Sequence, residues 1–158
     1  AVEADYLQDN LYHNSMHAAD VTQTLHALFQ MGAQKYASKL QTYSLLIAAI
    51  CHDINHPGYS NNYHLNSMSD LAITYNDVSV LENMHASRCF RLMLGGSGNN
   101  VDILSGLTSP QKMDVRKLIT TSILHTDMVK HFQSVNHLKV MIKSNDLSSK
   151  KCKLSEDD

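Results

Sequence analysis

His13, His17, His52, Asp53 and His56 put four imidazoles and a carboxylate into two short runs, Tyr12-His13-Asn14-Ser15-Met16-His17 and His52-Asp53-Ile54-Asn55-His56-Pro57-Gly58. Packing alone does not require so much ligand chemistry. A neutral imidazole offers one lone pair to a metal ion and a carboxylate offers two oxygens, so an adjacent His-Asp pair can hold one ion or bridge two. If the first run is helical, His13 and His17 stand four positions apart on one face and address the same cavity. Their tasks need not match, because one imidazole can bind metal while a protonated one delivers a proton to a departing alkoxide near neutral pH. Metal-dependent hydrolysis is the chemistry that this spacing indicates. His26, His64, His125, His131 and His137 are read as surface or satisfied core residues with no site role.

The elements that must hold these groups are helical. Val21, Leu25, Leu28 and Phe29 form one apolar stripe, so the first motif opens a helix that Gly32 closes with a left-handed residue. From about Ala37 to Cys51 the pattern is apolar nearly all round, as in a central helix covered on every side, with His52 and Asp53 at its carboxyl end. Asn55, Pro57, Gly58, Ser60, Asn61 and Asn62 then form a turn-rich stretch that wraps near the ligands. Ser79 and Glu82 have the spacing of a capping box before Leu81, Met84, Phe90 and Met93, in a helix that ends near Gly95. Residues 95–100 read as a surface loop, and Ser109-Pro110 as the cap and first turn of the next helix. Helical spacing continues through Leu118, Ile119, Ile123 and Leu124, and again through Met128, Val135, Leu138 and Ile142. Met84, Met93 and Met128 suit irregular core gaps. No strand or internal repeat is indicated.

With 158 residues, 43% of them hydrophobic, and a formal net charge of −2, the chain can build one domain with a real core. Its positive charge is not gathered into a face or stripe, which speaks against nucleic-acid binding and favours a small anionic ligand held by metal. Cys51, Cys89 and Cys152 are odd in number and widely spaced, which favours a reducing, cytoplasmic compartment, and Cys51 is expected to pack as a small hydrophobe. The longest apolar run, Leu45 to Cys51, is too short to span a bilayer, and no secretory signal is recognisable. The chain is read as soluble, with a partial domain over residues 1–147 and a polar, disordered tail over 148–158.

Four blocks in order, YHNSMHAADVTQ, HDINHPGYSN, YNDVSVLENMH and ILHTDM, resemble the successive blocks of the class I cyclic nucleotide phosphodiesterase catalytic domain. The likeness runs from about Leu11 to Ile142 and implies an all-α helical bundle of the HD-domain type, apparently truncated. It also implies that His13 is the general acid on the leaving 3'-oxygen and that His17, His52 and Asp53 bind a tight ion, typically Zn2+. Asp53 would bridge to a second ion, Mg2+ or Mn2+. His56, Glu82 and Thr126 match positions that hydrogen-bond the waters of that second ion, and such contacts orient ligands and tune the acidity of bound water. Tyr12, Asn61, His85, Asp127 and Met128 match positions lining the substrate pocket. The two cations would acidify a shared water and neutralise phosphodiester charge, so that cAMP or cGMP is opened to the 5'-monophosphate in signal transduction.

The family pattern continues into a later HCAD-like block whose Asp is a fourth ligand, then a base-binding glutamine and a stacking aromatic, and none of these occurs here. Asn55 also stands where many relatives carry an acid. With three ligands the ion would bind more weakly, and apolar surface would be left for self-association or a completing chain segment. Two functional classes therefore stand: a phosphodiesterase domain, whole or completed by another chain, and a catalytically incomplete remnant acting as a binding or regulatory module. A third keeps the enzyme class but changes the nucleotide substrate, against which the YHNxxH block speaks. The choice between cAMP and cGMP lies outside these residues.

Overall fold

The computed structural model describes residues 1–95 and 102–144. Over these residues the fold is all-α, as the periodicities indicate; the one extended pairing among them is an isolated bridge between Leu94 and Asp102. The expected loop beyond Gly95 and the polar tail from 148 lie outside the described residues. No helix among those described is long and apolar enough to cross a membrane.

Helix α1 spans Ser15–Gln30, not the whole first motif. Asn14 is extended, and its Oδ1 accepts from the backbone N–H groups of Met16 and His17, so it caps the helix and leaves His13 just outside it. Gly32, at φ 112°, turns the chain away after α1, where the sequence places a left-handed residue. Helix α2 (Lys39–Cys51) starts from a capping box in which Ser38 and Gln41 each satisfy the other's amide. Ser60 and Ser69 cap the short helices α3 (Asn61–Asn66) and α4 (Asp70–Thr74).

Helix α5 (Val80–Met93) lacks the capping box expected from Ser79 and Glu82. Ser79 is left-handed, at φ 43°, and its hydroxyl donates instead to Asp127 Oδ2 at 2.7 Å. The Leu81 amide is served by Asn61 Oδ1 at 2.9 Å, so a neighbouring helix supplies the cap. Helix α6 (Ser109–Leu124) is capped one residue earlier than expected, by Thr108 with Gln111, and Pro110 sits in the first turn. A 3-10 turn over Met128–Lys130 leads into helix α7 (His131–Ser144).

The core lies where α2, α5 and α6 meet. Cys51, Ile54, Ala86, Cys89, Phe90, Met93, Leu104, Val115, Ile119 and Ile123 are buried together there, with Tyr6 and Ala18 beside them. Ser44, Ala48 and Cys51 recur along one face of α2, and small side chains at that spacing let neighbouring backbones approach closely. Ser44 removes its own polarity by donating to Leu40 O. Helix α2 is not covered on every side, however: Leu45, Leu46, Ile47 and Ile50 are only half-buried. Tyr6 closes one end of α2 by donating its hydroxyl to Ile50 O at 2.8 Å. Helix α7 buries no residue among those described, and Leu138 and Ile142 of its expected stripe are exposed.

This contrast sets an expected outcome for stability. Ile119→Ala removes a side chain with no solvent exposure and should cost about 2–5 kcal/mol, whereas Leu138→Ala should change stability by no more than about 0.5 kcal/mol. Urea unfolding of the two variants checks it.

Candidate active site

The carboxyl end of α2 and the turn after it deliver His52, Asp53 and His56, while the start of α1 delivers His13 and His17. His52 Nδ1 lies 2.9 Å from Ala49 O. A carbonyl oxygen only accepts, so Nδ1 carries the hydrogen and a neutral His52 turns a bare Nε2 lone pair outward. That Nε2 is 3.2 Å from His17 Nε2 and 3.1 Å from Asp53 Oδ2, and His17 Nε2 is 3.4 Å from the same oxygen. The three ligand atoms lie within 4.8 Å of one another. Three lone-pair donors converge without a hydrogen for each contact, which is tolerable only with a proton or a metal cation among them. Two nitrogens and a carboxylate oxygen form a donor set that zinc accepts.

The charges reflect this crowding. Burial works to raise Asp53, but the hydrogen bond and charge of His52, with help from His85 and His13, hold it down at about 2. Burial works to lower His52, yet the Asp53 carboxylate outweighs it and leaves that ring above its ordinary value. His17 is shifted down by burial and by the charge of His52.

Beside this cluster three rings are arranged face to face. His13 stacks on His56 with centroids 4.0 Å apart and planes within 8°, and His56 in turn lies 5.6 Å from His85. The Gly58 amide donates to His56 Nδ1 at 3.0 Å, so neutral His56 carries its proton on Nε2 as a donor. His85, almost fully buried on α5, donates from Nδ1 to Ile54 O at 2.7 Å and brings Nε2 to 3.9 Å from Asp53 Oδ1. Burial, reinforced by neighbouring rings, lowers both His56 and His85 to about 4.

A cavity of about 700 Å³ opens over these groups. His13, His17, His52, Asp53, His56, Asn61, Glu82, His85, Thr126, Asp127 and Met128 all line it, so the structure brings these sequence-selected residues together. Asn61 donates from Nδ2 to Glu82 Oε2 at 2.9 Å, and burial raises the Glu82 carboxyl above its ordinary value. Thr126 turns its hydroxyl back to Ile123 O, and Asp127 accepts from Ser79 and from the Val129 amide. Met128 is largely exposed at the cavity, while Met84 and Met93 are core residues. Tyr12 is not in the cavity wall; it is 62% exposed and packs its ring 4.5 Å from that of His17.

His26, His64, His125, His131 and His137 are not part of this cavity. One residue here has no signature in the sequence: Asn10, whose Nδ2 donates to His56 O at 2.7 Å and to His13 O at 3.1 Å. Gly58, at φ 86°, lies against it, and a Cβ there would stand 2.9 Å from Asn10 Oδ1. A lone Asn before a motif carries no period or spacing that marks it.

Residues 12–158 match the family described as 3'5'-cyclic nucleotide phosphodiesterase. The chain is similar to the 3',5'-cyclic-nucleotide phosphodiesterase regA of Dictyostelium discoideum, 42% identical over 136 residues that make up 85% of this chain and 17% of that protein. It is also 39% identical over 149 residues to the 3',5'-cyclic-AMP phosphodiesterase 4C of Mus musculus, covering 94% of this chain and 21% of that one. Among solved structures it resembles the phosphodiesterase domain of the RhoPDE fusion protein from the choanoflagellate Salpingoeca rosetta, with a TM-score of 0.83 and 34% identity over 90% of this chain and 44% of that chain. The chain thus spans about a fifth of the curated relatives' length.

Because folded His56 and His85 take up protons near pH 4 and the unfolded rings near 6.5, the unfolded chain binds more protons between those values, and this pair makes stability fall as acid is added. In metal-free protein, His85→Gln should flatten that loss between about pH 6.5 and 4. Urea unfolding across the window, with and without the substitution, reads it.

Proposed function

Since the chain belongs to the 3'5'-cyclic nucleotide phosphodiesterase family, we propose that it contributes the metal-holding part of a catalytic site that hydrolyses cAMP, cGMP or both to the 5'-monophosphate. The observation that carries this reading is the convergence of His17 Nε2, His52 Nε2 and Asp53 Oδ2, with His13 facing the same cavity. His17, His52 and Asp53 would hold a Zn2+ ion, and Asp53 would also help to hold a second ion, Mg2+ or Mn2+. Such ions, when bound, supply Lewis-acid charge for the phosphodiester and lower the pKa of water.

The remaining work falls to the chain's own side chains. The Ala49 carbonyl fixes the His52 tautomer that leaves Nε2 free to bind, and such outer contacts hold a ligand ring at its angle. His56, with its proton on Nε2, and Glu82, held by Asn61, would orient water, together with Thr126. His13 would donate a proton to the ribose 3'-oxygen as its bond to phosphorus breaks. Asn61, His85, Asp127 and Met128 would shape the substrate space, with Tyr12 at its margin against His17.

In the full-length protein that carries these residues, His13→Ala should lower kcat by about 10²–10⁴-fold with metal content nearly unchanged. His52→Ala or Asp53→Ala should lose bound metal as well as activity. Elemental analysis and a cyclic nucleotide hydrolysis assay measure both. A protein that binds cyclic nucleotide but never turns it over, with or without added divalent ions, would instead be a binding module.

A further inference from the structure

We propose that Asn10 is a positioning residue for His13: its side-chain amide ties the backbone of the first histidine motif to that of the second and thereby sets where the His13 ring stands. The Asn10 Nδ2 donates to His13 O and His56 O, at 3.1 and 2.7 Å, two carbonyls that lie 43 positions apart in the sequence. Asn14 Nδ2 in turn donates to Asn10 O at 2.9 Å, so the clamp is tied to the cap of α1. His13 precedes that helix, and no intrahelical hydrogen bond fixes its place. The Asn10 bridge and the stack on His56 hold the ring against the group that follows the His-Asp pair, with Tyr12 and His17 meeting it edge-on. Asn10 itself is not in the cavity wall, so it acts through His13 and His56 and not on a substrate.

A half-buried amide with both hydrogens used in this way is specific: neither Ala nor Asp offers two N–H donors, and Asp would set a carboxylate against two carbonyl oxygens. Losing the clamp frees His13 to swing, and misplacement of a reacting group by an ångström can cost about 10²-fold in rate. The loss should fall on the step that needs His13. As the bond between phosphorus and the 3'-oxygen breaks, the electron pair goes to that oxygen and His13 gives up its proton to it. With sulfur in place of the bridging 3'-oxygen, the thiolate leaves without needing the proton.

The inference rests on the reading of His13 given under Proposed function, and the test separates the two. Asn10→Ala and Asn10→Asp, made in the full-length protein, are assayed on a 3',5'-cyclic nucleotide and on its analogue with sulfur at the 3' bridge. The expected result is a loss of about 10- to 100-fold in kcat on the oxygen substrate, with KM and metal content held within about threefold and the sulfur substrate turned over within about threefold of the parent. Equal loss on both substrates would make Asn10 a merely structural residue and overturn the proposal, as would no loss on either. If instead His13→Ala leaves the oxygen substrate unaffected in the parent enzyme, the assignment of the acid fails, and not the clamp.

Discussion

A carboxylate cannot be shut away with two unprotonated imidazoles unless positive charge joins them, and the organisation of this bundle follows from that requirement. Asp53 keeps only 14% of its side chain accessible, yet it is held ionised, with its carboxyl at about 2. The compensation comes chiefly from His52 at the end of α2, with smaller contributions from His85 on α5 and His13 just before α1. His52 and His85 are oriented by something other than Asp53. Backbone carbonyls of Ala49 and Ile54 take the hydrogens of His52 and His85, so both rings direct their remaining nitrogen toward the carboxylate side. The cluster is preorganised by main-chain acceptors that the helices must provide in any case.

Packing serves this arrangement. The core where α2, α5 and α6 meet fixes the two helix segments that carry His52 and His85, and fully buried Ile54 anchors in that core the turn that carries Asp53. On the far side of the cavity, Asn61 links α3 to α5 twice, by capping Leu81 and by holding Glu82. Ser79 links α5 to the turn after α6 through Asp127. Polar side chains thus join the cavity walls where helix packing alone would leave them independent, and satisfied polar networks of this kind specify one arrangement.

Much of this was legible in the sequence because it is local. Helix periodicity, the Gly32 turn, the end of α5 near Gly95 and the companionship of the two histidine motifs all rest on spacing, and spacing is what a sequence displays. The cap of α5 is misread because it depends on contacts between distant segments. Ser79 and Glu82 have the right separation for a capping box, but Asp127, 48 positions away, takes the Ser79 hydroxyl and Asn61 takes over the cap. The start of α1 is legible in Asn14, an ordinary capping residue, although the four-position spacing of His13 and His17 suggests a helix that begins earlier. Helix α2 reads as apolar all round, but hydropathy does not reveal which of its faces has a neighbour. Asn10 was unreadable, because an asparagine that bridges two carbonyls looks like any loop asparagine.

Gly58 carries two separate constraints. Its φ of 86° disfavours any L side chain, and the space a Cβ would take is already claimed by the Asn10 carboxamide at 2.9 Å. A larger residue at 58 requires the Asn10 carboxamide to shift or shrink, and even then the backbone strain persists. Positions 10 and 58 are therefore coupled in one direction: residue 10 can shrink beside Gly58, whereas a side chain at 58 meets the Asn10 carboxamide.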